Sequence, residues 1–136
     1  MKKILIIEDE ETIRNELKTL LENSGYEVLM LEKFTNAKED IKSMTLDLIL
    51  LDINLPNING EMLLKEIRKE SNIPVIMVTS RVCEVDEVLS MSYGADDYIT
   101  KPYNPTILLL RIQNIFKRME NNRDDLFYDD IVVNPK

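Results

Sequence analysis

The chain of 136 residues contains no histidine and only one cysteine, Cys83. Without histidine, the protein cannot use an imidazole as an acid–base catalyst, form a phosphohistidine or bind a metal through an imidazole nitrogen. One cysteine cannot form a disulfide within the chain, which fits a reducing compartment. Any chemistry therefore depends on carboxylates, hydroxyl groups and lysine.

Long hydrophobic runs are also lacking. The basic start, Met1-Lys2-Lys3, is followed by only four apolar residues before Glu8. Four residues are too few for the apolar region of a signal peptide or for a membrane span. We therefore expect a cytoplasmic protein that makes no contact with a membrane.

Basic residues are the minority among the charged ones, with 17 lysines and arginines against 25 aspartates and glutamates, and the net charge is −8. Contact with nucleic-acid phosphates needs a basic face. We therefore do not expect this segment to bind DNA by itself. The hydrophobic residues make up 44% of the chain, enough for the core of one domain.

Five apolar stretches alternate with segments in which apolar residues recur at helical spacing. The stretches have the length and β-branched content of strands and comprise residues 2–9, 26–31, 47–53, 74–80 and 97–100. Three of them are continuously apolar, as in parallel strands that are covered on both faces. The pattern predicts an α/β fold of the flavodoxin-like (βα)₅ class, a doubly wound parallel sheet with strand order 2-1-3-4-5.

The last predicted helix begins at Asn104-Pro105, a capping residue followed by proline in the first turn, and runs to Met119. Residues 120–125 are polar and predict a linker. Residues 126–136 form one more strand-like piece without a following partner. We expect the natural chain to continue into a further domain; a C-terminal extension of a complete protein is the alternative.

Polar residues stand at the carboxyl ends of four of the five predicted strands. Glu8 and Asp9 end the first, Asp52 the third, Thr79 the fourth and Lys101 the fifth. Open parallel sheets bind ligands beyond the carboxyl ends of their strands, where the strand order reverses. Each residue alone is ordinary polarity at a strand end, but their joint occurrence predicts a functional site at this edge.

The predicted site contains three carboxylates, which would raise one another's pKa values unless a cation lay among them. Hard oxygen ligands without cysteine or histidine suit Mg²⁺ rather than zinc. Magnesium leaves coordination positions for phosphate oxygens, so the cluster favours phosphoryl transfer, with Asp52 as a nucleophile that forms an acyl phosphate. Lys101 and Thr79 would contact the phosphoryl oxygens.

At these residues the sequence resembles the receiver domains of two-component response regulators. Four segments match the family in order: Glu8-Asp9, LLDINLPNINGE around Asp52, PVIMVTS with Thr79, and GADDYITKPY with Lys101-Pro102. The resemblance covers about residues 2–119 and implies a receiver domain at 1–119. FYDDIVVNPK, near the end, resembles the OmpR/PhoB subfamily, so residues 120–136 would be a linker and the start of a truncated winged-helix DNA-binding domain.

The resemblance implies a role for each matching residue. Asp52 would accept a phosphoryl group from a partner sensor histidine kinase, and Thr79 and Lys101 would assist. Asp9, Asp52 and the backbone carbonyl of Asn54 would bind Mg²⁺, with Glu8 acting mainly through water. Two further features are implied: Tyr98 would act as an aromatic switch with Thr79, and the Lys101-Pro102 peptide bond would be cis. Arg81 and Asn54 would influence the lifetime of the phosphoryl group.

A homodimer through the fourth helix, fifth strand and fifth helix is also implied. The residues at positions of intersubunit contact are Asp96, Asp97, Leu110, Arg111 and Arg118. Two positions depart from the family pattern: Glu87 stands where a basic residue is usual, and Ile107 replaces its acidic partner. One salt bridge is therefore missing, which would favour more apolar contact and dimerisation before phosphorylation.

The resulting prediction is a signalling switch that regulates transcription through an attached effector domain and is not a turnover enzyme. A phosphatase of the haloacid dehalogenase type also uses a strand-end aspartate and magnesium, but its second aspartate would fall at Asn54. A nucleotide- or flavin-binding protein would need glycines after the first strand. This chain has EDEET there.

Overall fold

The computed structural model describes residues 1–31, 33–80 and 84–128, and for residues 121–128 it describes the backbone only. The chain divides into two compact units, Met1–Tyr103 and the segment that begins at Asn104. Among these residues, the first unit contains the strands and four helices, and the second contains the long last helix. No helix among the described residues is long and apolar enough to span a bilayer.

The first unit has seven strands and four helices. In chain order they are β1 Lys3–Ile7, α1 Glu11–Asn23, β2 Glu27–Met30, α2 Ala37–Lys42, β3 Leu48–Leu51, β4 Asn54–Leu55, β5 Ile58–Asn59, α3 Gly60–Arg68, β6 Val75–Thr79, α4 Glu84–Ser92 and β7 Asp97–Thr100. The predicted strands extended into the polar residues at several ends, whereas the paired strands stop before them.

Five strands form one parallel sheet in the order β2-β1-β3-β6-β7. Because β4 and β5 belong to a separate hairpin, β6 and β7 are the fourth and fifth strands of this sheet, and its order is 2-1-3-4-5. The chain moves outward from β1 to β2, then returns to β3 on the other side of β1, so the strand order reverses between β1 and β3. This arrangement confirms the predicted doubly wound fold and its order. Strands β1, β3 and β6 are buried almost along their whole length, as their continuous apolar sequences predict.

A small hairpin follows Asp52 and returns the chain to the sheet edge. Strands β4 and β5 pair antiparallel through Leu55 and Ile58, with Pro56 and Asn57 between them. Asn57 has φ 67°, the left-handed conformation that the third position of a type II turn requires after proline. The turn brings the chain to Asn59, whose side chain accepts hydrogen bonds from the amides of Glu61 and Met62 and so caps α3.

The second unit consists of α5, Pro105–Tyr128. The predicted cap is confirmed, because Asn104 Oδ1 accepts hydrogen bonds from the amides of Thr106 at 2.9 Å and Ile107 at 3.2 Å. The strand expected from residue 126 is wrong as far as residue 128, since residues 120–128 continue the helix. The linker expected at 120–125 is thus helical, and the domain boundary stays a prediction. Residues 120–128 contain no proline or glycine to end a helix.

Candidate functional site

Two carboxylates meet at the point where the strand order reverses. Glu8 follows β1 directly, and Asp52 follows β3. The Asp52 amide donates a hydrogen bond to the carbonyl oxygen of Ile7 at 3.1 Å, so the parallel ladder continues up to the phosphoacceptor candidate. Both side chains are buried, with 3% of the Glu8 side chain and 7% of the Asp52 side chain exposed.

Lys101 joins these carboxylates from the end of β7. Its amide donates to the carbonyl oxygen of Thr79 at 2.8 Å, which extends the β6–β7 pairing by one bond. Its ammonium nitrogen lies 2.5 Å from Glu8 Oε1 and 2.9 Å from Asp52 Oδ2. The Lys101-Pro102 peptide bond is cis, as expected. The predicted convergence of the strand ends is therefore present for these three side chains.

The three charged groups leave one negative charge uncompensated, because one ammonium faces two carboxylates. Burial lowers the pKa of Lys101, but hydrogen bonds to Glu8 and Asp52 more than offset burial, and the net pKa is raised. Burial raises the pKa of Glu8, while hydrogen bonds from Lys101 and the Glu10 amide act in the opposite direction. A buried site with excess negative charge favours a further cation.

Backbone amides occupy the other oxygen of each carboxylate. The Asn54 amide donates to Asp52 Oδ1 at 3.1 Å, and the Glu10 amide donates to Glu8 Oε2 at 3.0 Å. Arg14 on α1 donates to the Glu8 carbonyl oxygen at 3.2 Å. Each carboxylate is thus held by a side chain and by the backbone, which fixes its orientation.

The carboxylates do not converge as a group of three. Asp9 is exposed, both Glu8 oxygens accept hydrogen bonds, and no cluster of three Asp, Glu, Cys or His side chains that could hold a metal occurs in the described part of the chain. Glu8 as a direct metal ligand is therefore a poor fit, since Lys101 lies between it and Asp52. Magnesium commonly binds through one or two carboxylates plus water and phosphate oxygens, and Asp9, Asp52 and the Asn54 carbonyl are oxygen donors of that kind.

The predicted switch residues lie on neighbouring strands. Thr79 ends β6 and is fully buried, and Tyr98 on β7 is 7% exposed. In the register of the two strands, Tyr98 pairs with Met77, and Thr79 pairs with Thr100. The tyrosine is therefore part of the buried core beside the strand that ends in the threonine.

The predicted interface residues of the first unit are already engaged within the chain. Asp96 Oδ2 accepts hydrogen bonds from Arg68 Nη2 at 3.1 Å and from the Val75 amide at 2.9 Å. Asp97 Oδ1 accepts from the Tyr98 amide at 2.8 Å. An intersubunit ion pair of Asp96 would therefore have to share or replace the contact with Arg68.

In the second unit, Leu110 is 51% exposed and Ile107 is 46% exposed. Arg118 is exposed and Arg111 is half-buried, while Leu108 and Ile112 are fully buried. The apolar run that begins α5 thus has both buried and exposed members, as the sequence predicts.

Sequence reasoning missed several residues that shape the site. Gly60 has no predicted role in the site, but a Cβ there would lie 2.0 Å from the Asp52 carbonyl oxygen. The roles of Arg14 and Arg68 had no signal, because both are ordinary members of helical segments. Predictions for Arg81, Cys83 and residues 129–136 lie outside the described residues.

The geometry agrees with the comparison to known proteins. Residues 4–113 match the family model of the response regulator receiver domain. The chain belongs to this family. It is the receiver domain of a two-component response regulator.

Individual relatives of known name support the same family. The aerobic respiration control protein ArcA of Escherichia coli K12 is 41% identical over 118 residues, which cover 87% of this chain and 50% of ArcA. The sensory transduction protein RegX3 of Mycolicibacterium smegmatis is 39% identical over 133 residues, 98% of this chain and 58% of RegX3. These are response regulators of the OmpR/PhoB type, which confirms the expected subfamily.

A solved structure with the same fold is a CheY-like receiver domain protein from Methanospirillum hungatei JF-1. It has a TM-score of 0.83 and 34% sequence identity, covering 90% of this chain and 98% of that one. The chain spans about half the length of the curated relatives it matches. The family membership therefore applies to this receiver domain, and the activities of the longer relatives are not assigned to this chain.

Proposed function

We propose that this receiver domain is a switch that is controlled by phosphorylation of Asp52. The observation that supports the proposal is the contact of one buried ammonium, Lys101, with both Asp52 and Glu8 where the strand order reverses. The two carboxylates carry one negative charge more than the lysine neutralises. The site is therefore suited to a divalent cation and a phosphoryl group together.

The membership in the receiver domain family supports a phosphohistidine of a sensor histidine kinase as the phosphodonor. A carboxylate oxygen of Asp52 attacks the phosphorus, the phosphorus–nitrogen bond breaks, and the imidazole leaves with the electron pair. The product is an acyl phosphate on Asp52. Lys101 then exchanges part of its contact with the carboxylate for contact with a phosphoryl oxygen.

Asp9, Asp52 and the carbonyl oxygen of Asn54 are the residues that would hold Mg²⁺. When bound, the ion supplies positive charge against the phosphoryl oxygens. Glu8 keeps Lys101 in place through their ion pair. It would reach the ion through water, because Lys101 lies between Glu8 and Asp52 and contacts both.

Phosphorylation shifts a conformational equilibrium in which Thr79 and Tyr98 take part. The output is homodimerisation through the fourth helix, the fifth strand of the sheet and the fifth helix. Binding to DNA and regulation of transcription belong to an attached effector domain, and the protein works in the cytoplasm. The boundary between a receiver at 1–119 and the following segment stays a prediction.

The domain is proposed to be a switch rather than a turnover enzyme. A phosphatase that hydrolysed the acyl phosphate rapidly would need an acid–base group beside Asp52. The residue two positions after Asp52 is Asn54, whose side chain cannot act as an acid or a base. The backbone amide of Asn54 already donates a hydrogen bond to Asp52 Oδ1. The acyl phosphate is therefore expected to persist for seconds or longer.

The test uses acetyl phosphate, Mg²⁺ and intact-mass spectrometry. The full chain should gain one phosphoryl group, and the gain should disappear in Asp52→Asn and in the presence of EDTA. Asp40→Asn on α2 is the matched control and should be modified like the wild type. Steady release of phosphate without a trapped adduct would favour the phosphatase, and no reaction in a folded protein would contradict the proposal.

A further inference from the structure

Helix α4 has buried polar residues and exposed apolar ones. Asp86 and Ser90, one turn apart, are 7% and 0% exposed, whereas Val85 and Val88 are 63% and 61% exposed. Amphipathic helices usually bury their apolar stripe. Burial of apolar area therefore contributes less than usual to the position of α4, and polar contacts contribute more.

One such contact joins α4 to α3. Ser90 Oγ donates a hydrogen bond to Glu61 Oε2 at 3.3 Å, and Glu61 is 8% exposed. The contact links two buried side chains 29 positions apart. A hydrogen bond to a buried carboxylate is stronger than one in water, and breaking it leaves polar atoms without solvent.

Glu61 lies in the turn of α3 that is fixed to the backbone of Asp52. The Gly60 amide donates to the Ile53 carbonyl oxygen at 2.8 Å, and Asn59 Oδ1 accepts from the Glu61 amide at 2.8 Å. At Gly60 a Cβ would lie 2.0 Å from the Asp52 carbonyl oxygen, so the two backbones are in direct contact. The first turn of α3 cannot move far without moving Asp52.

We propose that the Glu61–Ser90 hydrogen bond couples the backbone of Asp52 to α4. This connection runs through α3 and is separate from the one expected between Thr79 and Tyr98. Its regulatory meaning rests on the proposed phosphorylation of Asp52, but the coupling itself does not. Because coupling between two sites is reciprocal, a change at Ser90 alters the segment after Asp52, just as a change at Asp52 alters α4.

The first test needs no phosphodonor. Hydrogen exchange of the full chain, followed by mass spectrometry, compares Ser90→Ala with Ser92→Ala, an exposed position on the same helix. In Ser90→Ala, amides of residues 53–60 should exchange about fivefold faster, the ratio expected for the loss of one net hydrogen bond. Amides of α1 should not change, and Ser92→Ala should match the wild type.

A second variant assigns the effect to the contact itself. In a Glu61→Ala background, Ser90→Ala should no longer change the exchange of residues 53–60. If Glu61→Ala does not fold, Glu61→Gln keeps an acceptor oxygen, and Ser90→Ala should then still have its effect. The coupling is contradicted if Ser90→Ala and Ser92→Ala behave alike, or if Ser90→Ala has the same effect with and without Glu61.

A third experiment compares hydrogen exchange before and after phosphorylation with acetyl phosphate. The change in exchange of residues 84–92 on phosphorylation should be smaller in Ser90→Ala than in Ser92→Ala. If the wild type gains no phosphoryl group, the proposed function fails while the coupling is still decided by residues 53–60. If the wild type is phosphorylated and Ser90→Ala changes neither segment, the coupling alone fails.

Discussion

The two ends of the sheet each have a basic residue with little exposure, Lys101 with 8% and Arg68 with 18% of its side chain exposed, but the surroundings of the two residues differ. At the carboxyl ends, Lys101 contacts two carboxylates, those of Glu8 and Asp52. At the amino ends of β6 and β7, Arg68 contacts one carboxylate, Asp96, and donates to the carbonyl oxygens of Ile73 at 2.6 Å and Gly94 at 3.0 Å.

The difference is one of charge balance. Arg68 and Asp96 neutralise each other, and the remaining guanidinium donors satisfy backbone carbonyls, so this end is complete without a ligand. The Lys101 group retains one excess negative charge among side chains that are at most 8% exposed. Buried charge that the protein does not balance is typical of functional sites. The comparison therefore separates a cluster whose charges balance within the chain from one with the excess negative charge on which the proposed cation and phosphoryl site rests.

The largest effect is expected for Lys101→Ala. It leaves Glu8 and Asp52 buried together without a cation, which should reduce the free energy of unfolding by about 3–5 kcal/mol. Asp52→Asn, which leaves Lys101 and Glu8 as a balanced pair, should be as stable as the wild type or more stable. Urea unfolding without divalent ions measures both, and equal losses in the two variants would contradict the charge imbalance.

A smaller loss is expected at the balanced end. Asp96→Asn weakens the acceptor of both Arg68 and the Val75 amide, and should cost about 1–2 kcal/mol in urea unfolding. Modification by acetyl phosphate should be unchanged, because Arg68 and Asp96 lie at the opposite end of the strands. Reduced phosphorylation in a folded Asp96→Asn protein would show that the two ends are not independent.

Alkaline pH should destabilise the wild type. The pKa of Lys101 is raised in the folded chain by Glu8 and Asp52, which outweigh burial, and burial raises those of Tyr26 and Tyr103. Groups with a raised pKa stabilise fully below their unfolded values, near 10, and lose that contribution as pH rises through the folded values. Urea midpoints from pH 8 upward should therefore fall above about pH 10.

Asp52→Asn tests the share of Lys101 in this decline, because the lysine then has one carboxylate partner instead of two. Its midpoints should fall less steeply than those of the wild type over the same range. Tyr103→Phe removes one of the tyrosines and serves as the comparison. A decline in Asp52→Asn as steep as in the wild type would mean that the tyrosines alone determine it.

The smallest effect is expected in an exposed ion pair between the end of α2 and the turn that follows α3. Lys42 Nζ lies 2.9 Å from Glu70 Oε1, and about half of each side chain is exposed. Solvent screens such pairs. Lys42→Ala should leave the urea midpoint unchanged within error at physiological salt, and a clear loss would show that distance rather than burial decides what an ion pair contributes.

The sequence alone predicts the fold and the main charged residues that meet at the edge of the sheet. The apolar strands predict the parallel sheet, and the polar residues after them predict what meets at its edge, because strand order fixes which ends are neighbours. Lys101, Glu8 and Asp52 were assigned to one site in this way. The cis bond and the positions of Thr79 and Tyr98 follow from the family motif.

Side-chain partners were not predictable in the same way. The sequence places Lys101 in the site as a positive charge, but nothing in it shows that the ammonium contacts both Glu8 and Asp52. The expected Mg²⁺ stays a prediction. The buried pair of Glu61 and Ser90 joins residues far apart in the chain, and each looks like an ordinary polar member of its helix. The polar composition of residues 120–125 predicts a linker, but residues 120–128 contain no proline or glycine to end a helix, and α5 extends to Tyr128.

The most direct test of the central claim is to locate the phosphoryl group. After reaction with acetyl phosphate and Mg²⁺, borohydride reduces an aspartyl phosphate to homoserine, which peptide sequencing by mass spectrometry identifies. We expect homoserine at position 52 only, and none in protein treated without Mg²⁺. Homoserine at Asp9 or at an aspartate outside this edge of the sheet, with Asp52 intact, would contradict the account.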